Sequence, residues 1–120
     1  MTTQELKQRT FEFGTRVVPA VEALPKRETA RILGRQLLRA GTWVGANYRA
    51  AARARSRADF IAKLGIVEEE RDESAYWMEM IAGLKFLKKG RLTDLLSEAN
   101  ELLAIAVASI NGASQSARVN

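Results

Sequence analysis

Along almost the whole chain, apolar residues return at intervals of three and four, while β-branched residues are scattered rather than alternating; the pattern predicts helices from end to end. The first helix is predicted from about Thr3 to Leu24, with Leu6, Phe13, Val17, Val21 and Leu24 on one side, Pro19 bending it and Pro25 closing it. The second starts near Lys26 to Glu28, runs to about Ala54, and carries Leu33, Leu37, Ala40, Val44, Tyr48 and Ala51 as its core face. Ser56 stands three residues before Asp59, which reads as a capping-box-like start with Asp in place of the usual Glu. A third helix follows over about Arg57 to Leu87, with Phe60, Leu64, Val67, Ser74, Met78 and Ile81 in register. KKGR at 88–91 is read as its end, with Gly90 in the left-handed position and lysines in the last turn. Thr93 then caps a fourth helix with Leu96, Ala99, Leu103, Ala106 and Ile110 as its stripe, ahead of a polar tail, 111–120, that is expected to fray.

Four amphipathic helices with short joints make an all-α chain, and an antiparallel up-down four-helix bundle buries all four stripes. A chain of 120 residues is one domain in length, enough to bury about two thirds of its unfolded surface, and no linker or repeat divides it.

Composition removes several kinds of chemistry. With no cysteine and no histidine, the chain lacks disulfides, thiolate nucleophiles, Cys- or His-based metal sites and the Ser-His and Cys-His dyads. No cofactor or catalytic metal is expected, and no enzymatic activity. The N-terminus MTTQELKQRTFEFGTR has no apolar h-region, and no run approaches a membrane span, so the expected address is the cytoplasm. Charge is unevenly placed. Residues 1–58 hold 12 Lys+Arg against 4 Asp+Glu and residues 59–120 hold 7 against 10, so the excess of +5 comes from the first half.

On the second helix, Arg31, Arg35, Arg39, Arg49 and Arg53 fall within a stripe roughly 80° wide, since each residue advances about 100°. Such a stripe suits a polyanion, because guanidinium forks pair with phosphates. The reading preferred over that one is a solvated helix face, or a face that meets acidic residues on a neighbouring helix or subunit. No base-reading motif accompanies it.

The acidic run EEERDE at 68–73 does not make a di-iron site, which needs Glu-x-x-His elements on facing helices. Glu69 and Glu73 are spaced for surface contacts, and Glu68 with Arg71 for a partly buried pair. Gly41, Gly45 and Gly83 belong to no phosphate-binding loop and are read as points of close helix packing. Trp43, Tyr76 and Trp77 sit at the margins of the apolar faces, where helix packing or subunit contact is the reading preferred over base stacking, and Asn47 is expected to bond across helices.

The string QLLRAGTWVGANYRAAARARSRADFIAKL, followed after eleven residues by YWMEMI, resembles a bacterial four-helix-bundle family first known from proteins encoded in intervening sequences of large-subunit ribosomal RNA genes. Gln36, Leu37, Arg39, Thr42, Val44, Ala46 and Asn47 carry the first part of the likeness, Asp59, Phe60, Ile61, Lys63 and Leu64 the second, and Tyr76, Trp77 and Glu79 the third. The chain departs at Ala50, where the family has a glutamate. The resemblance implies a short antiparallel bundle that assembles as a ring, typically a homopentamer, with no established enzymatic activity. The chain is also similar to the accessory protein of diversity-generating retroelements, a basic bundle that associates with a reverse transcriptase and its RNA. The expectation is therefore an oligomeric scaffold whose basic face binds RNA, DNA or a nucleic-acid-processing partner; the alternative is a structural or protein-binding bundle with no nucleic-acid role.

Overall fold

The computed structural model describes residues 1–119, without the side chains of Lys89, Val107, Ile110 and residues 113–119. Four helices account for nearly all of it: α1 (Thr3–Glu22), α2 (Glu28–Ala52), α3 (Arg57–Gly83) and α4 (Lys89–Val119). Each packs on its neighbour in the chain, and α4 closes back on α1. Joints of four or five residues are short enough to bring each helix back antiparallel along the one before it. Contacts at the ends agree. Arg27, in the first joint, lies 5.2 Å over the ring of Phe86 in the third, so these two turns share one end of the bundle.

Local chemistry sets the helix ends. Thr2 and Glu5 form a capping box at the start of α1, with Thr2 Oγ1 accepting from the Glu5 amide at 3.1 Å and Glu5 accepting from the Thr2 amide at 3.3 Å. Ser56 Oγ accepts from the Asp59 amide at 3.1 Å, as expected, and Lys63 Nζ lies 2.7 Å from both Asp59 oxygens. That hydrogen bond holds the Asp59 carboxyl below the usual carboxylate range.

The end of α3 departs from the sequence expectation. Its helix stops at Gly83, and the left-handed residue is Lys85, with φ 59°. The Phe86 amide donates to Ile81 O at 3.2 Å and the Lys85 amide to Ala82 O at 3.0 Å, which is the paired bonding of a Schellman cap. Gly90, given that role from sequence, instead lies in the first turn of α4. A lysine pays a steric penalty in the left-handed region. Lys85→Gly is therefore expected to raise stability by about 1 kcal/mol, read as a higher urea midpoint; a lower midpoint would mean that the Lys85 side chain stabilises the turn.

α4 also begins earlier and ends later than the pattern suggested, at Lys89 and Val119 rather than near Thr93 and Ile110. The helix bounds thus take in 111–119 of the segment expected to be a polar tail; Asn120 lies outside the described residues. Its buried line is Leu92, Leu95, Ala99, Leu102 and Ala106, so Leu96 and Leu103 flank the core rather than centre on it. The side chain of Ile110 lies outside the described residues.

The core joins Leu6, Phe13 and Val17 of α1 to Leu37 and Val44 of α2, Leu64, Met78 and Ile81 of α3, and the α4 line. Glycines bring α1 against α2: a Cβ on Gly45 would lie 3.0 Å from Thr10 O and 3.2 Å from the Phe11 nitrogen, and one on Gly41 would lie 2.8 Å from Val17 Cγ2. Gly83 marks no close helix crossing, contrary to expectation, since nothing beyond its own turn of helix lies within 4 Å of its Cβ position. The α1–α4 seam is tied by Arg9, whose Nε and Nη2 donate to Glu98 at 2.8 and 2.7 Å and which also reaches Glu101. Among the described residues no helix is long and apolar enough to cross a membrane.

Candidate nucleic-acid interface

The core face of α2 fixes the direction of its arginines. Leu37, Ala40, Gly41, Val44, Tyr48 and Ala51 are buried, and the residues half a turn away must point outward. Arg31, Arg35, Arg39, Arg49 and Arg53 are all exposed, with Arg53 at the C-cap. In a chain with more cations than anions, this is one basic face along one helix.

Its members are not equivalent. Arg39 forms ion pairs across to α3 with Glu73 and, at 3.9 Å, with Glu70, and its guanidinium lies 5.5 Å over the ring of Trp43. Glu73 also accepts from Trp77 Nε1 at 3.3 Å. Arg39 therefore ties two helices together, whereas Arg31, Arg35, Arg49 and Arg53 make no ion pair among the described residues. The acid-facing reading of the stripe thus holds for Arg39, while the other four lie on an exposed face.

Glu70 is the strained member of that node, only 9% exposed. Burial pushes its carboxyl above the usual range, the charge of Glu73 pushes the same way, and Arg39 opposes them. Its Oε2 has no hydrogen-bond partner among the described residues. Arg71 beside it is 5% exposed and donates from Nη2 to Glu68 at 3.1 Å and to Asp72 at 3.4 Å. The pairing of Glu68 with Arg71 matches expectation, but the buried carboxylate is Glu70, and Glu73 serves an interhelical contact rather than a surface one.

The aromatic residues divide similarly. Trp77 packs against the core and meets Tyr76 edge to face at 5.0 Å, while Tyr76 and Trp43 remain 52% and 49% exposed. Asn47 does not cross helices: its Nδ2 donates to Trp43 O at 2.9 Å within α2, and with alanine at position 50 no carboxylate stands one turn further on.

A groove of about 530 Å³ runs between α1 and α2, floored by Gly14 and Gly45 and edged by Lys7, Phe11, Val18 and Arg49. Phe11 is 62% exposed there. Sequence reasoning missed this surface, although Phe11 stands off the apolar stripe of its helix and was an exposed aromatic in waiting. No group of three or more acidic side chains among the described residues could hold a metal ion.

A family model described as "23S rRNA-intervening sequence protein" matches residues 2–108. The chain is similar to a solved structure from Bacteroides thetaiotaomicron VPI-5482, a protein of unknown function from the S23 ribosomal protein family: identity is 31%, the alignment covers 88% of this chain and 97% of the other, and the TM-score is 0.82. The curated proteins contain no match.

Proposed function

The chain belongs to the 23S rRNA-intervening sequence protein family, and from that premise we propose that it is a non-enzymatic scaffold that assembles with itself and holds nucleic acid on the arginine face of α2. The observation that carries this reading is the set of four exposed arginines, Arg31, Arg35 and Arg49 on α2 and Arg53 at its C-cap, none of which makes an ion pair among the described residues. Their attraction to phosphate comes with release of counterions and little dependence on base sequence.

Self-assembly supplies the second half. A single subunit offers few phosphate contacts, and copies held together raise the effective concentration of each next contact. Two surfaces support association: the α1–α2 groove around Phe11, edged by Lys7 and Arg49, and the outer face of α3, where Ile66 and Tyr76 are exposed beside Glu69 and Asp72. Basic edges on one and acidic residues on the other fit a head-to-tail contact between copies. The family resemblance favours five. Light scattering is expected to give a multiple of 13.3 kDa, and a monomer at micromolar concentration would contradict this half of the reading.

The binding test changes Arg31 and Arg35 together to glutamate, because both are exposed and neither makes an ion pair. Losing two single-strand phosphate contacts is expected to weaken RNA affinity about 25-fold at 0.1 M salt, with helix content and subunit number unchanged. Unchanged affinity in an intact oligomer would reject nucleic-acid binding through this face. Dissociation of the oligomer would favour the second reading, a protein-binding bundle that uses the arginines between copies.

A further inference from the structure

We propose that Trp43 is a stacking platform for an unpaired base of single-stranded RNA, and that Arg35 and Arg31 take phosphates flanking that base. This rests on the reading above and gives it a substrate class. Trp43, Arg39, Arg35 and Arg31 follow one another at intervals of four residues on α2, a ridge along the helix surface with about 6 Å of rise per step. The ridge is built rather than merely exposed. Arg39 is held by Glu73 and Glu70 from α3, Glu73 is held in turn by Trp77 Nε1, and the fixed guanidinium lies against the Trp43 ring. An indole braced in this way stays oriented, and its residue is still 49% exposed. Since the charge of Arg39 is matched by α3 carboxylates, its part is to position the ring; Arg35 and Arg31, with no ion pair, supply the attraction to phosphate.

Cationic side chains beside an exposed aromatic face are the combination that binds single strands without regard to sequence, because every base has a π-face. In a duplex, the neighbouring pairs cover those faces. The arginines would meet either form, whereas Trp43 adds affinity only for the unpaired one.

The probe is a 20-nucleotide oligo-uridine, alone and annealed to oligo-adenosine, titrated against the full-length protein and its Trp43→Ala and Trp43→Phe variants. Trp43→Ala is expected to weaken single-strand binding about 5- to 150-fold, to leave duplex binding and subunit number unchanged, and to be largely rescued by phenylalanine. Tryptophan emission should be quenched by the single strand in the native protein and much less in Trp43→Phe, which keeps Trp77. Equal losses for both probes, no loss for the single strand, or dissociation of the oligomer would each overturn the proposal, the last by placing Trp43 in a subunit contact. If the native protein binds neither probe at low salt, the nucleic-acid reading itself fails; if it binds both and Trp43→Ala changes nothing, only the stacking proposal does.

Discussion

Replacing Gly45 with valine is expected to destabilise the bundle by about 3 kcal/mol. Even the first carbon of a side chain would stand 3.0 Å from Thr10 O and 3.2 Å from the Phe11 nitrogen, and these are backbone atoms that cannot rotate away. Two further methyl groups force α1 and α2 apart, which loosens Phe13 and Val17 from Val44 and Leu37 at the centre of the core. The better helix propensity of valine returns only a few tenths of a kcal/mol. Gly65 supplies the opposite case, since it lies inside α3 with nothing within 4 Å of its Cβ position. Gly65→Ala should stabilise by up to about 1 kcal/mol. Urea denaturation of the pair checks both signs, and an unchanged midpoint for Gly45→Val would show that α1 does not depend on this close crossing.

Arg39→Glu should cost a comparable amount, about 2 to 3 kcal/mol after allowing for the partial exposure of Arg39 and Glu73. The change removes the cation shared by Glu70 and Glu73 and adds a third carboxylate beside them. Its pH dependence has a defined sign. The Glu70 carboxyl is already raised above its ordinary value of 4.5, by burial first and by Glu73 second, so from about that pH upward the native state holds more proton than the unfolded state and stability falls as pH rises. Without Arg39 the native value climbs further, and the window widens. The deficit of the variant should therefore be small near pH 4 and largest above neutrality, as read from thermal melts across that range; a deficit equal at all pH values would mean that Glu70 is not the group under strain. The same coupling is why Arg39 is left intact in the RNA-binding test.

Helix period carried most of the fold. The stripes of α1, α2 and α3, the proline stop after α1 and the Ser56 cap are all local signals, and local signals survive folding when each agrees with the core it faces. The end of α3 was hidden because Leu84, Phe86 and Leu87 prolong its apolar pattern, and Phe86 and Leu87 do pack on the core, from a turn rather than a helix. Glycine is the usual left-handed residue, so Gly90 drew a role that Lys85 fills. The Thr2–Glu5 box was visible in the sequence but not used. Glu70 and Arg71 were also legible: both fall between Val67 and Ser74 at core spacing, and a charged residue on a core line needs a partner. What no periodicity could show is which arginine would meet acid. All five share one phase on α2, and only the antiparallel register of α2 against α3 sets Arg39 opposite Glu70 and Glu73 while Arg31, Arg35, Arg49 and Arg53 face outward.

The most direct test of that arrangement is the salt dependence of RNA binding by the native oligomer, measured as log K against log salt with single-stranded RNA and set beside the Arg31→Glu, Arg35→Glu double variant. With Arg49 at the groove assigned to the next copy, the three remaining unpaired arginines, Arg31, Arg35 and Arg53, predict a slope of about −2 per subunit engaged, and the double variant a slope about a third as steep. A flat plot, or the same slope in both proteins, would contradict an arginine face on α2 that binds nucleic acid.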